Sequence, residues 1–252
     1  MSLILVRHGQ SVWNLLNLFT GWVDVDLTDQ GREEARKAGL ILRYSGLVPH
    51  AVFVSPLKRA SETGRLALET LGLSSLELQK KIEFVERYYG ALTGLNKKDV
   101  EQKYGEEKVF EWRRSYKATP PSLSLDFNNS DDPRNASLFR DTPLRNTTTE
   151  SLKDVVLRVE PVYREEILPL LNAGQTVLVF AHGNTNRALI KLALGLSDKE
   201  IESVDVPTGR PVIVTDTGWE FVSDLGLRRQ QRLDETEYLE WARYITPHRG
   251  LG

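Results

Sequence analysis

Two of the four histidines in this 252-residue sequence stand in matching settings. Val6-Arg7-His8-Gly9 closes the first short aliphatic run, and Phe180-Ala181-His182-Gly183 closes another. A neutral imidazole attacks phosphorus, while arginine and backbone N–H donors stabilise the charge on a transferring group. The pair, with Arg7 beside its first member, therefore points to phosphoryl transfer through histidine. One His-Gly after a strand would carry little weight, because a packed core histidine has the same local signature. Glycine after each histidine permits close backbone approach. Helical patterns follow both, Gln10-Ser11-Val12-Trp13-Asn14 and Asn184-Thr185-Asn186-Arg187, whose first N–H groups would face an anion beside the imidazole.

Metal binding is the competing use of histidine. The two candidates lie far apart in sequence, with no His-x-x-x-His pattern and no third imidazole near either. Cysteine is absent, which removes thiolate zinc sites, disulfides and cysteine nucleophiles. Asp131-Asp132 in a polar loop reads as a solvated turn rather than a cation site. His50, beside Pro49, and His248, in the tail, read as surface residues. No metal is expected.

The elements that must position these residues follow from patterning. Short β-branched or aliphatic runs at 3–6, 51–54, 176–180 and 211–214 alternate with longer helix-like segments, which predicts an α/β fold. Both histidines then lie at the carboxyl ends of strands, the edge where open α/β sheets bind ligands. Thr28 as N-cap and Gly46 as C-terminal stop bracket a helix with Ala35, Ala38 and Leu42 on one face. Ser151-Leu152-Lys153-Asp154 is a capping-box pattern leading to Val155, Val159 and Val162 at core spacing, and Ser197–Glu200 repeats the start signal. Between about 118 and 149 the sequence is polar, with Pro120-Pro121, Asp131-Asp132-Pro133 and Asp141-Thr142-Pro143. Loops of that length are functional lids or locally disordered, so this stretch and the tail are the candidates for shielding the site.

Composition fits one globular domain. Hydrophobic residues make up 40% and charged residues 27%, and 33 Lys+Arg nearly cancel 35 Asp+Glu. A formal charge of -2 gives no global attraction to nucleic acid or an anionic membrane. The opening apolar run stops at Arg7, far short of the roughly 20 residues of a spanning helix, so no leader is expected and the cytoplasm is the expected compartment. Sequons at Asn128, Asn135 and Asn146 fall in an Asn/Ser/Thr-rich stretch where chance matches arise.

With these residues in view, the chain resembles the cofactor-dependent phosphoglycerate mutases of the histidine phosphatase superfamily, from Leu3 to about Val214. The resemblance rests on Arg7-His8-Gly9-Gln10-Ser11 with Trp13-Asn14, Phe19-Thr20-Gly21-Trp22, Leu57-Lys58-Arg59-Ala60, Glu86-Arg87-Tyr88-Tyr89-Gly90-Ala91-Leu92, Gly94-Leu95-Asn96-Lys97, Trp112-Arg113-Arg114, His182-Gly183-Asn184 and Pro207-Thr208-Gly209. It implies a three-layer sandwich, a mostly parallel sheet between helices. It casts His8 as the phosphorylated nucleophile, Arg7, Arg59 and His182 around the phosphoryl group, and Glu86 as proton donor and acceptor. Ser11, Asn14, Thr20, Gly21, Tyr89, Lys97, Arg113, Arg114, Gly183 and Asn184 would bind substrate. The implied reaction interconverts 3-phosphoglycerate and 2-phosphoglycerate, primed by 2,3-bisphosphoglycerate, with phosphoglycerates as small-molecule partners. The family forms monomers, dimers and tetramers, which leaves a homodimer or homotetramer open.

Rivals within the resemblance are a bisphosphoglycerate mutase or phosphatase and a broad-specificity histidine phosphatase; outside it, a catalytically silent scaffold. Thr20-Gly21 looks like the mutase form of its loop, and the Trp-Arg-Arg and Gly-Leu-Asn-Lys elements are usually missing from the broad phosphatases. The chain departs from the family at Tyr88, where His is common, at Thr185 and Asn186, at Arg210, and through the tail beyond Asp224.

Overall fold

The computed structural model describes residues 2–125, 131–215 and 217–222. The tail from 224, its Tyr238–Ala242 segment, His248 and the Asn128 sequon lie outside them.

The two runs that end in histidine form the centre of the sheet. Strands β1 (Ser2–Arg7) and β4 (Thr176–Ala181) pair in parallel, and each is buried along nearly its whole length. That continuous burial explains why their sequences are unbroken apolar runs rather than alternating ones. With β2 (Ala51–Val54), β3 (Leu78–Lys80), β5 (Val212–Thr215) and β6 (Gly218–Phe221) the order is β3-β2-β4-β1-β5-β6. The first four strands are parallel, while β5 pairs antiparallel with β1 and β6 pairs antiparallel with β5. The expected parallel sheet therefore holds where the site is built and turns mixed at one edge. Neither β3 nor β6 is marked in the sequence by an aliphatic run: Leu-Gln-Lys and Gly-Trp-Glu-Phe are half-exposed edge strands.

Alternation along β1 sends Leu3 and Leu5 to one face and Ile4 and Val6 to the other. On the first face lie helices α7 (Leu152–Val162) and α9 (Gly183–Leu194), through Val155, Val159 and Leu189. On the second lie α2 (Asp29–Ser45) and α3 (Lys58–Leu71), through Ala38, Leu42 and Ala67. This is the three-layer arrangement. The caps form as the sequence indicates. Thr28 accepts from the Gly31 N–H at 3.0 Å, Gly46 takes a left-handed φ of 69°, and Ser151 and Asp154 exchange capping-box bonds. Ser197 and Glu200 also bond reciprocally, but the helix, α10 (Glu200–Ser203), begins three residues later. The remaining helices are α1 (Val12–Leu15), α4 (Lys97–Tyr104), α5 (Glu106–Arg114), α6 (Ser137–Arg140) and α8 (Leu168–Asn172). No described helix is long and apolar enough to cross a membrane.

The polar stretch at 118–149 corrects one expectation. Asp132 is no solvated turn: it is buried and takes the fork of the fully buried Arg134, Nε at 2.9 Å from Oδ1 and Nη2 at 2.5 Å from Oδ2. Arg134 also donates to the carbonyls of Ser124 and Thr147, which ties the stretch shut on itself. Its described residues line neither of the cavities described below. They build a satellite core in which Trp22 is stacked between Tyr88 and Phe139, with ring centroids 4.6 Å away on each side.

Glycine is required where the His8 turn meets the start of α2. A Cβ on Gly31 would lie 2.0 Å from the Gln10 oxygen, and one on Gly9 would lie 2.1 Å from the Gly31 oxygen. Both obstacles are backbone and cannot swing aside. Gly31→Ala is expected to lower unfolding free energy by about 1–3 kcal/mol, the usual cost of overpacking, in a urea titration; an unchanged midpoint would show that the two segments can separate freely.

Candidate active site

The β1–β4 register pairs Arg7 with Ala181, so His8 and His182 leave the sheet side by side. Their ring centroids are 5.1 Å apart at an interplanar angle of 61°. His8 Nδ1 lies 2.7 Å from the Gly9 carbonyl oxygen. A carbonyl only accepts, so Nδ1 carries the proton and Nε2 keeps its lone pair. Burial, then the charges of Arg59 and Arg7, hold His8 well below the usual histidine pKa. Burial followed by Arg59 does the same to His182, whose Nε2 lies 2.8 Å from Ser55 Oγ and which caps the start of α9. Both rings are thus neutral at neutral pH, and His8 is a ready nucleophile.

Two cavities of about 350 and 520 Å³ share Arg7, Glu86, Tyr89 and Lys97 as lining. The smaller also holds His8, Asn14, Thr20, Gly21 and Arg59; the larger holds Arg113, Arg114, Gly183, Asn184, Arg187 and Asp205. Six cationic side chains therefore face Glu86 and Asp205. That excess, with amide donors and neutral imidazoles, suits a polyanion; a metal ion would meet net positive charge. Arg7 donates to the Val206 carbonyl, and Arg59 to those of Val23 and Gly21, yet the Nε of each is buried without a partner among the described residues. Burial brings Arg59 down to about 10, which leaves it charged at neutral pH.

Glu86 is buried, 8% exposed, and forms no ion pair among the described residues. Its Oε1 accepts from the Arg87 N–H at 2.8 Å, the Asn184 N–H at 3.2 Å and Asn184 Nδ2 at 3.1 Å. Asn184 Oδ1 in turn accepts from Arg187, which also donates to the carbonyls of Arg113 and Arg114 at the end of α5. One hydrogen-bonded chain thus runs from the carboxylate to the helix end that carries the two arginines of the larger cavity.

Every expected site residue but two lines a cavity. His182 stands behind His8, and Ser11 is buried as the N-cap of α1. Ser11 instead orients Asn14: its N–H and O–H both donate to Asn14 Oδ1, which leaves the Asn14 amide nitrogen as a donor. Gly183 differs from Gly9, since a Cβ there would meet Arg7 and Glu86 at ordinary contact distance, and glycine leaves room in the cavity rather than permitting a tight backbone crossing. Tyr88 faces the satellite core and Arg210 stacks on Phe221, so neither lines a cavity. Arg187 and Asp205 are additional lining residues; the Asn184–Arg187 spacing on one helix face is the sequence signal that marks the first. Asp205 pairs with Arg114 at 3.0 Å, and Glu101 with Arg113 at 3.7 Å. Arg87 is fully buried against the Tyr89 ring, with all three guanidinium nitrogens lacking hydrogen-bond partners among the described residues.

Lys97 gives the site a measurable pH response. Burial, then Arg113 and Arg7, lowers it from 10.5 to about 8. The ammonium is charged below that value and lost as pH rises through it. Sulfate, a dianion across the whole range, is therefore expected to bind about tenfold or more weakly at pH 9.5 than at pH 7 by calorimetry, the loss of one charge-assisted hydrogen bond. Lys97→Arg should flatten the profile; an equally steep fall in that variant would assign it to another group.

The profile described as Histidine phosphatase superfamily (branch 1) matches residues 3–225. A protein of Corynebacterium kroppenstedtii named 2,3-bisphosphoglycerate-dependent phosphoglycerate mutase is 47% identical over 214 residues, 84% of each chain. One of Sphingopyxis alaskensis with the same name is 44% identical over 93% of this chain and 99% of its own. Among solved structures, a mycobacterial glucosyl-3-phosphoglycerate phosphatase complexed with VO3 superposes with a TM-score of 0.67 at 20% identity, covering 87% of this chain and 96% of its own, which shows the shared fold. The chain belongs to the histidine phosphatase superfamily and, within it, to the family of the 2,3-bisphosphoglycerate-dependent phosphoglycerate mutases.

Proposed function

We propose that the chain interconverts 3-phosphoglycerate and 2-phosphoglycerate, a step shared by glycolysis and gluconeogenesis, through phosphohistidine at His8 and a 2,3-bisphosphoglycerate intermediate. The observation that carries the reading is a neutral His8, with Nε2 unprotonated, in a two-lobed cavity lined by six cations and one buried glutamate. A bisphosphorylated three-carbon acid carries roughly -1.5 to -2 charge per phosphate plus a carboxylate, which requires several fixed cations. A simple phosphomonoester needs one anion subsite; the second lobe, with Arg113, Arg114 and Arg187, favours a ligand charged at both ends.

His8 Nε2 accepts the phosphoryl group as the P–O ester bond breaks, with Arg7, Arg59 and the His182 ring around the charge that develops. Glu86 supplies the proton to the departing hydroxyl oxygen. Because Oε1 already accepts from three N–H groups, Oε2 is the oxygen that carries this proton. In the other half, phosphohistidine at His8 gives its phosphoryl group to the free hydroxyl of a monophosphoglycerate while Glu86 Oε2 takes that hydroxyl's proton; the 2,3-bisphosphoglycerate so formed turns and gives its other phosphoryl group to His8 by the step just described, so proton and phosphoryl group both balance. Lys97, Arg113 and Arg114 grip the distal charges while the ligand turns, and Asn14, Thr20, Gly21, Tyr89, Gly183 and Asn184 complete the contacts. Priming by 2,3-bisphosphoglycerate restores phosphohistidine whenever water has discharged it.

The test is an enolase-coupled assay with 3-phosphoglycerate, with and without 2,3-bisphosphoglycerate, alongside intact-mass measurement. Expected are dependence on priming, one added phosphoryl group on the wild-type chain, and a fall of at least about 10⁴-fold with no added mass in His8→Ala. Unprimed activity that survives His8→Ala would overturn the reading.

A further inference from the structure

Glu86 lies on neither a strand nor an α-helix. It sits between single 3₁₀ turns at Ile82–Phe84 and Gly90–Leu92, where no regular ladder fixes the backbone. Yet the carbonyls of this stretch must be satisfied, because the segment is buried. One guanidinium supplies three of those bonds. Arg158, on α7, donates through Nη1 to the Glu83 carbonyl and through Nη2 to those of Val85, at 2.9 Å, and Glu86, at 3.1 Å.

Arg158 is itself fixed by Glu150, with Nε at 2.7 Å from Oε1 and side chains 10% and 4% exposed. Glu150 closes the other flank: Oε2 accepts the Tyr88 N–H at 2.8 Å, and the Glu150 N–H donates to the Tyr88 carbonyl at 3.0 Å. Trp22 Nε1 donates to the Glu86 carbonyl at 2.6 Å, and Thr185 Oγ1 to that of Val85 at 2.9 Å. The ion pair thus holds the backbone on both sides of Glu86 without touching either cavity.

We propose that Arg158, held by Glu150, is a positioning residue for proton transfer at Glu86; this rests on the reading of Glu86 as proton donor and acceptor. A planar guanidinium can reach three carbonyls and a carboxylate at once, which a lysine ammonium on a flexible stem cannot. Displacement of a proton-transfer group by about 1 Å costs on the order of 10²-fold in rate. The effect falls only on steps that need the proton.

That selectivity supplies the test. An alkyl phosphate ester must have its leaving oxygen protonated, whereas p-nitrophenolate departs without help. His8 phosphorylation is followed by intact mass in single-turnover reactions with 2,3-bisphosphoglycerate and with p-nitrophenyl phosphate, in wild type, Glu86→Gln, Arg158→Lys and Glu150→Gln. Arg158→Lys is expected to slow the first reaction about 100-fold and the second by less than about threefold, and Glu86→Gln should show the same split. If Glu86→Gln shows no split, the reading of Glu86 fails. If Glu86→Gln splits but Arg158→Lys slows both reactions alike, or neither, Arg158 is merely structural and the proposal is overturned. Should Arg158→Lys not fold, Glu150→Gln carries the decision, with a smaller split expected and its absence overturning the proposal.

Discussion

Parallel pairing of β1 with β4 in the register Arg7 to Ala181 sends the next two residues, His8 and His182, out of the sheet together, and the rest of the site is arranged around that fact. A slip of one residue would turn one imidazole into the opposite layer. The register is secured from both faces, because alternate residues of β1 and β4 pack under different helix pairs. The same crowding that fixes the rings also keeps them uncharged, through burial and the nearby guanidinium groups. Core packing and nucleophile activation are therefore one constraint.

Several buried side-chain nitrogens in and around the site have no hydrogen-bond partner among the described residues. Arg7 and Arg59 each bury an Nε without a partner, Arg87 buries three such nitrogens, and His182 Nδ1 is another, all among the described residues. A buried donor left unsatisfied costs about 1–3 kcal/mol. Such costs are characteristic of functional sites rather than of stable cores, and the three packed layers around the sheet are what tolerate them. An anionic ligand that satisfies even part of this set stabilises the fold as it binds.

How far the sequence discloses this depends on the range of each interaction. His8, His182 and Arg7 are legible because strand, histidine and glycine are contiguous. Arg59, Lys97, Arg113 and Arg114 stand out only through the family resemblance, since a Trp-Arg-Arg run on a helix looks the same whether it faces water or a ligand. The backbone that Arg158 holds lies some 72 to 75 residues away in the chain, so nothing local marks that role; for Arg187 only its spacing from Asn184 points to the site, because the carbonyls it holds at the end of α5 lie 73 to 74 residues away. Asp132 misleads for a different reason: its partner Arg134 is only two residues away, but Asp-Asp-Pro has the chemistry of a solvated turn and nothing local tells that the pair is buried. The edge strands β3 and β6 escape notice because a half-exposed strand needs no aliphatic run.

The ion pairs at the outer lobe have one more consequence. Arg114 rests on Asp205 and Arg113 on Glu101, so an incoming anion replaces carboxylates already in place rather than meeting bare guanidinium groups. Binding there is a partner exchange whose net gain is the small difference between two similar interactions. Such a swap is readily reversed, so an anion held in the outer lobe is released about as easily as it is caught.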